Sequence, residues 1–279
     1  MEDFFLYFAE NWDTLGGRWL SAFYHDFKRY FLAASGVFVA IWIILRPFLK
    51  NRKIRKATPS KRQMVFEFLH SVKTVAVFST VGLIINYGYQ LGWFRIYSDV
   101  NELGWGYLIF STFLMIFLHD TYFYWTHRLM HVAGIYPRIH GLHHKSNNPT
   151  PWTAYSFDWK EAVINFMYVK LFLIAIPIHG LGVFTFLTFM IVRNAIGHSG
   201  YEVFPRRWVT HPVWGQLTNV THHDLHHSSF RYNYGLYFTY WDRLMGTEHP
   251  EYVAKTLKIK GARRKVGGGY TVPDVVAAE

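Results

Sequence analysis

Long apolar runs alternate with polar, aromatic-rich stretches along this chain. Residues 31–49 form the first run, apolar apart from Ser35 and Arg46, and further runs cover about 74–93 and begin again near 105. A helix gains 1.5 Å per residue, so about 20 apolar residues cross a hydrocarbon core of roughly 30 Å. The pattern predicts three membrane helices in the first half of the chain.

A fourth apolar stretch, residues 162–192, contains a segment rich in proline and glycine at 176–182. Two full crossings need roughly 40 apolar residues, so this stretch is short for two. We expect a tight helical hairpin that enters the membrane and returns, unless its helices extend into the flanking polar sequence. The predicted fold is an all-α integral membrane protein with four to five membrane helices, one pair of them forming this short hairpin.

The distribution of basic residues predicts the orientation. Seven Lys and Arg residues lie in 50–62, whereas residues 94–104 hold only Arg95. Because cytoplasmic loops carry an excess of Lys and Arg, 50–62 is expected in the cytoplasm. The third helix then returns its C-terminal end to the cytoplasmic face.

Composition agrees with this organisation. The chain has 279 residues, 51% hydrophobic and 17% charged, yet its mean hydropathy is only +0.05 because the apolar residues are concentrated in runs. The net charge of +11 could suggest nucleic acid, but no nucleic-acid module is present and juxtamembrane basic residues explain it. The absence of cysteine excludes disulfides and iron–sulfur clusters.

Histidines carry the candidate chemistry, since thirteen of the 16 lie between residues 119 and 227. Residues four apart share a helix face, so His127 and His131 can hold one ion. Nine imidazoles are candidate metal ligands: His127, His131, His140, His143, His144, His198, His223, His226 and His227. One ion takes four to six ligands, so the sequence predicts two ions in a helical cap. Imidazole suits zinc, copper, iron and nickel, so ligand type leaves the metal open.

Other residues are assigned to supporting positions. His222 is a tenth candidate ligand, His119 is intermediate, and Asp120 is expected to orient a ligand imidazole. Glu161, Asp224 and Asp242 are either similar supports or ordinary solvated or paired carboxylates. Five isolated histidines are interpreted as packing or surface residues: His25, His70, His179, His211 and His249.

Two other classes of protein compete with a redox enzyme. A histidine-rich metal transporter would place its ligands in the middle of a span, whereas these clusters lie outside the apolar runs. A zinc hydrolase would need a carboxylate placed as in His-Glu-x-x-His, which is absent.

Three segments resemble the fatty acid hydroxylase/sterol desaturase superfamily of membrane di-iron enzymes. They are Asp120 to His131, His140 to Pro151, and His222 to Thr247. The motifs around His198-Ser199-Gly200-Tyr201 and Asn233-Tyr234-Gly235 are similar to the C-4 sterol methyl oxidase and C-5 sterol desaturase branches. In fatty acid 2-hydroxylases of this superfamily a histidine stands four residues before the position of His198. Here that residue is Asn194.

The resemblance implies two iron ions, O2 as cosubstrate, and the same nine ligands. Asn194, water or His222 would fill the remaining coordination position. Electrons are expected from a separate donor: a ferredoxin, cytochrome b5 or a reductase. The implied function is hydroxylation or desaturation of a membrane lipid, with a sterol or polycyclic-lipid desaturase or methyl oxidase as the alternative. The expected regions are an interfacial segment at 1–30, membrane helices at 31–118, a catalytic region at 119–250 with its hairpin at about 162–197, and a basic cytoplasmic tail at 251–279.

Overall fold

The computed structural model describes residues 14–259, apart from the side chain of Asn86. The helices are α1 (Leu15–Phe38, continued by a π-helical turn at Val39–Ile44), α2 (Arg46–Leu49), α3 (Lys61–Gln90), α4 (Gly104–Met130), α5 (Tyr136–Ile139), α6 (Trp159–Ala175), α7 (Gly180–Gly197), α8 (Val220–Ser229), α9 (Tyr240–Leu244) and α10 (Tyr252–Lys258). Two short strands, β1 (Ile96–Tyr97) and β2 (Ile178–His179), pair in parallel. The prediction of an all-α fold is confirmed.

Four helical segments are long and apolar enough to cross a membrane. They are Leu15–Ile44, Lys61–Gln90, Gly104–Met130 and Gly180–Gly197. Large apolar side chains project outward from them, with Leu32 59% and Phe113 67% exposed. Contiguous apolar surface of this kind is rare on soluble monomers and is expected where lipid covers the protein. The prediction of a multi-pass membrane protein is confirmed.

The first helix begins earlier than the apolar run indicates. The side chain of Thr14 accepts a hydrogen bond from the backbone N–H of Gly17, and α1 starts at Leu15. Residues 15–30, assigned to an interfacial segment, therefore continue directly into the first span. Hydropathy detects the lipid-facing part of a helix, whereas its caps decide where the helix starts. The first thirteen residues of that segment lie outside the described part of the chain.

The expected hairpin is formed by α6 and α7, which do extend beyond the apolar stretch at both ends. Its turn lies beside the connection between α3 and α4, because β2 pairs with β1 there. The N–H of Ile178 also donates to the carbonyl of Arg95 at 2.9 Å. The hairpin therefore reaches the end of the helix bundle opposite to that of the histidines.

A 3₁₀ turn, Pro151–Tyr155, fills the space between α1, α3 and α7. The carbonyl of Trp152 accepts hydrogen bonds from the hydroxyls of Tyr30 at 3.0 Å and Ser71 at 2.7 Å. Tyr30 also stacks on Tyr155, with ring centroids 5.5 Å apart. These contacts hold the chain that follows His143 and His144 deep against the bundle.

The predicted tail at 251–279 begins as a packed element. Helix α10 contacts α8, and its Tyr252 is fully buried against the ring of His222. The prediction of a tail rested on the basic residues of this segment. It missed Tyr252, a large aromatic side chain whose burial holds the segment against the protein. Residues 260–279 lie outside the described part of the chain.

Candidate metal centre

The nine candidate ligands meet in two buried groups at one end of the bundle. Within each group the ligating atoms lie within 4.8 Å of one another. The first group contains His127, His131, His140, His144 and His226, and the second contains His143, His198, His223 and His227. The structure thus brings together all nine histidines that the sequence predicted as ligands. The group of five could hold one ion and the group of four a second.

Neighbouring histidines are divided between the two groups. His143 and His144 are adjacent in sequence yet belong to different groups. On α8, His223 and His227 are four residues apart and share a face, whereas His226 points to the other group. Helix α8 therefore lies between the groups, and the segments around His143 and His226 each contribute to both.

Five of the imidazoles are oriented through Nδ1, which donates a hydrogen bond to a fixed oxygen. The acceptors are the carbonyl of Tyr234 for His127 at 2.9 Å, the carboxylate of Glu161 for His140 at 2.8 Å, the carbonyl of Tyr232 for His226 at 2.8 Å, the carbonyl of Ser156 for His143 at 3.3 Å and the carbonyl of Asn194 for His198 at 2.8 Å. Protein metal sites commonly fix their imidazoles in this way, with Nε2 left as the ligating atom.

The donor set fits a metal because several Nε2 lone pairs face each other. Nε2 of His127 lies 3.0 Å from Nε2 of His140, and Nε2 of His143 lies 3.3 Å from Nε2 of His198. All four residues carry their ring proton on Nδ1, so neither pair can form a hydrogen bond between its Nε2 atoms. Converging lone pairs of this kind repel each other, and a cation between them removes the repulsion.

Burial keeps the imidazoles neutral, as metal ligands must be. Loss of hydration lowers the pKa of six of them well below the ordinary range, and neighbouring imidazoles add to the shift: His140, His143, His144, His223, His226 and His227. A proton therefore competes weakly with a metal for these nitrogen atoms.

Two buried carboxylates hold the loop that orients the first group. The prediction that Asp120 orients a ligand imidazole directly is wrong. Its carboxylate instead accepts hydrogen bonds from the N–H groups of residues 236–238 at 3.1, 2.6 and 3.4 Å. Asp242 accepts from the N–H groups of Tyr234 and Gly235 at 2.9 and 2.8 Å. Since the carbonyl of Tyr234 receives the proton of His127, both carboxylates act on the ligands through the backbone.

A glycine is required in this loop. A Cβ on Gly235 would lie 2.3 Å from the carbonyl oxygen of Phe238 and 3.0 Å from the carboxylate of Asp242. Asn233, two residues earlier, has a φ of 60°. Its side chain donates to the carbonyl of His222 at 2.9 Å. The Asn233-Tyr234-Gly235 motif therefore shapes the loop.

The remaining candidates lie outside both groups. His222 faces Asp242, with its Nε2 3.3 Å from the carboxylate. The side chain of Asn194 donates to the carbonyl of Ala154 at 2.7 Å, and Asp224 forms an ion pair with Arg55 at 2.7 Å. His119 packs among aromatic rings. The five isolated histidines are also in neither group.

We expect Asp120→Ala to destabilise the protein and loosen the first group. Three N–H groups, that of Tyr237 buried and the other two partly buried, would lose their shared acceptor, and an unsatisfied buried donor costs about 1–3 kcal/mol. The measurement is thermal unfolding in detergent, with Asp120→Asn as the matched variant because it keeps one acceptor oxygen. Unfolding temperatures for the alanine variant equal to wild type would show that Asp120 does not hold the loop.

Comparison with known proteins identifies the histidine-bearing region. Residues 112–247 match the family model described as Fatty acid hydroxylase, so this part of the chain is a fatty acid hydroxylase domain. The resemblance predicted from the histidine segments is confirmed. This family is iron-dependent, and the two groups in the domain could hold metal ions. No solved structure matches the chain significantly.

Relatives include sterol enzymes of both predicted branches. The chain is 31% identical over 188 residues to a Delta(7)-sterol 5(6)-desaturase of Gibberella zeae, covering 67% of this chain and 56% of the relative. It is 28% identical over 250 residues to methylsterol monooxygenase 1 of Rattus norvegicus, covering 88% and 82%, and 35% identical over 144 residues to cholesterol 25-hydroxylase of Mus musculus, covering 50% and 47%. The chain thus spans about half to two thirds of the length of most of these relatives.

Proposed function

We propose that this protein is a membrane oxidoreductase that hydroxylates or desaturates a C–H bond of a membrane lipid, using two iron ions and O2. The nine histidines would hold the iron, five at one ion and four at the other. Iron bound there would supply the redox chemistry that activates O2 toward an unactivated C–H bond. Electrons would come from a separate ferredoxin, cytochrome b5 or reductase.

The observation that carries the proposal is an apolar cavity directly beneath the two groups. Three of its lining residues touch group histidines: the ring of Phe123 lies 4.9 Å from that of His127, the ring of Phe157 lies 5.2 Å from that of His143, and Asn194 accepts from His198. The cavity has a volume of about 40 Å³, well below the roughly 300–1,000 Å³ of ligand pockets, so a bound lipid would have to move the side chains that line it.

The protein's own residues would position the lipid and exclude water. Apolar side chains from α3, α6 and α7 line the cavity, among them Phe78, Phe166 and Met190. An apolar chain or ring gains roughly 25 cal/mol for each Å² of its surface that leaves water. Phe123 and Phe157 would then hold one C–H bond against the metal groups while Nδ1 hydrogen bonds keep the imidazoles in place.

Sterol or polycyclic-lipid oxidation is the second candidate within this class. The names of the relatives favour it, since two of them are a sterol desaturase and a methylsterol monooxygenase. The basic residues at 50–62 support a cytoplasmic position for the histidine groups, where soluble electron donors are available.

Cells that express the protein are expected to contain a lipid that gains 16 Da or loses 2 Da relative to cells without it. The purified protein should hold about two irons per chain, one for each histidine group. Lipid mass spectrometry and metal analysis of the same preparation test both statements. One tightly held zinc with no redox metal would contradict the iron assignment, and an unchanged lipid profile with altered cellular metal content would favour a transporter.

A further inference from the structure

We propose that a row of tyrosine and tryptophan rings conducts electrons from the protein surface to the first group of histidines. This row, the relay, consists of Tyr234, Tyr124, Trp241 and Tyr240. It would protect the metal centre when an oxidising equivalent formed there meets no lipid. The relay rests on the proposed function only in that iron in the histidine groups becomes strongly oxidising. Its electrons come from a small soluble reductant, such as a thiol or ascorbate.

The ring of Tyr234 lies beside three imidazoles of the first group. Its centroid is 5.7 Å from that of His127, 5.3 Å from that of His131 and 5.7 Å from that of His226. The two cavity rings that reach the group histidines are both phenylalanines, which are much harder to oxidise than a phenol. The metal groups therefore have an oxidisable ring beside them that does not line the cavity.

The relay continues from Tyr234 to the surface. Tyr124 is fully buried, and its ring centroid lies 6.1 Å from that of Tyr234. Tyr124 also stacks on Trp241 at 5.8 Å, and Trp241 lies 5.0 Å from Tyr240. Tyr240 is 45% exposed and belongs to α9, which is not one of the four candidate membrane helices. Electrons can therefore enter at Tyr240 and pass between rings that lie close together.

The hydroxyl of Tyr124 has the partners that a redox-active phenol needs. A phenol that loses an electron becomes strongly acidic and must release its proton. The hydroxyl of Thr247 donates to the carboxylate of Asp242 at 2.8 Å, so it accepts from the hydroxyl of Tyr124 at 2.9 Å. The proton of Tyr124 can therefore move to Thr247 while the proton of Thr247 moves to Asp242. Because Asp242 is fully buried, the proton stays within the protein and can return.

One electron passes along the relay in each cycle. Tyr124 gives an electron through the ring of Tyr234 to the oxidised metal group, and its O–H bond breaks as the proton leaves along the path just described. Trp241 then returns an electron to Tyr124, which takes its proton back. Tyr240 replaces the electron that Trp241 lost and releases its phenolic proton to water. The soluble reductant restores Tyr240 with an electron and a proton, so the reductant is the species that ends oxidised.

Tyr122 offers a comparison on the same helix. Its hydroxyl donates to the backbone carbonyl of Ile164 at 2.8 Å. A backbone carbonyl accepts this hydrogen bond but does not take up the proton, so Tyr122 lacks the proton path that Tyr124 has. The two phenols therefore form a matched pair, of which only Tyr124 is expected to be redox-active.

The test supplies hydrogen peroxide to the iron-loaded protein in detergent, so oxidising equivalents form whether or not the protein oxidises a lipid. We expect freeze-quench EPR to show a tyrosine radical, and peptide mass spectrometry to show oxygen added at Trp241 and Tyr240. Tyr124→Phe keeps the ring but removes the hydroxyl. This variant should lose the radical and reduce the added oxygen at both positions to the level of the zinc-loaded protein. Tyr122→Phe is the matched control and should behave like the wild type.

A second pair of variants tests the proton path. Thr247→Val keeps the shape of the side chain but removes its hydroxyl, so it should lose the radical signal. Thr247→Ser keeps the hydroxyl and should retain the signal. Ascorbate should suppress the added oxygen in the wild type but not in Tyr124→Phe, whose group histidines should be oxidised instead.

Absence of a tyrosine radical in the wild type would overturn the relay, as would the same radical and oxidation pattern in Tyr124→Phe. Equal signals from the two Thr247 variants would overturn the proton path. Lipid oxidation is measured separately with O2. Lipid oxidation without the radical would contradict the relay alone, and the radical without lipid oxidation would contradict the proposed function alone.

Discussion

His226→Ala is expected to abolish lipid oxidation and to remove about one of two irons. His226 belongs to the group of five, and its Nε2 lies 3.1 Å from that of His144. His143→Ala should do the same to the group of four. Changes that only touch a ligand's partner commonly cost 10–100-fold in metal affinity or activity, so loss of a ligand should cost more than about 100-fold. Metal analysis and lipid mass spectrometry provide the measurement.

The double variant gives a stricter test of two separate sites. If the groups each hold one ion, His143→Ala combined with His226→Ala should leave almost no iron, whereas each single change leaves about one. His211→Ala is the matched control, because His211 is exposed and lies in neither group. Two irons retained by either single variant would contradict the assignment of that group, provided the protein still elutes as a folded species in detergent.

Glu161→Ala is expected to lower iron affinity of the first group by about 10–100-fold, without removing a ligand. The carboxylate accepts the Nδ1 proton of His140 at 2.8 Å, and Glu161 is 1% exposed, so no solvent can take over this contact. Loss of the carboxylate would free the ring of His140 to rotate and would make its Nε2 a weaker electron-pair donor to the metal. Chelator titration of the iron-loaded protein measures the change.

Two further variants separate orientation from charge. Glu161→Gln keeps an oxygen that can accept from His140, so its loss of iron affinity should be smaller than that of Glu161→Ala. Glu67→Gln is the matched control, because Glu67 is also fully buried but bonds to Gln63 and Thr150. Equal effects of the Glu161 and Glu67 variants would mean that general stability, and not the contact with His140, controls iron binding.

The sequence determined the chemistry of the site more completely than its layout. Imidazoles repeated at helical spacing are rare by chance, and this made all nine group members recognisable. The spacing of residues along one helix does not show which other elements pack against that helix. Only the tertiary structure therefore showed that His143 and His144 belong to different groups, as do His223 and His226. The role of Glu161 stayed open for the same reason, since His140 lies 21 residues away.

Asp120 illustrates the limit of reasoning from periodicity. Its place on the helix face of His127 and His131 led to the prediction that it orients a ligand imidazole, yet its carboxylate faces the backbone of residues 236–238. Shared helix faces fix the direction of a side chain but not the element packed against it. The loop that meets Asp120 is more than a hundred residues away in sequence.

The sequence by itself determined the class of fold, the helices that meet lipid and the metal-binding character of the histidines. Each of these follows from local composition and spacing, because hydropathy and helical periodicity act over neighbouring residues. Only the tertiary structure decided how the imidazoles divide into two groups, which oxygens orient them, and that an apolar cavity adjoins them. These features depend on contacts between distant segments, which the packing of the whole bundle sets.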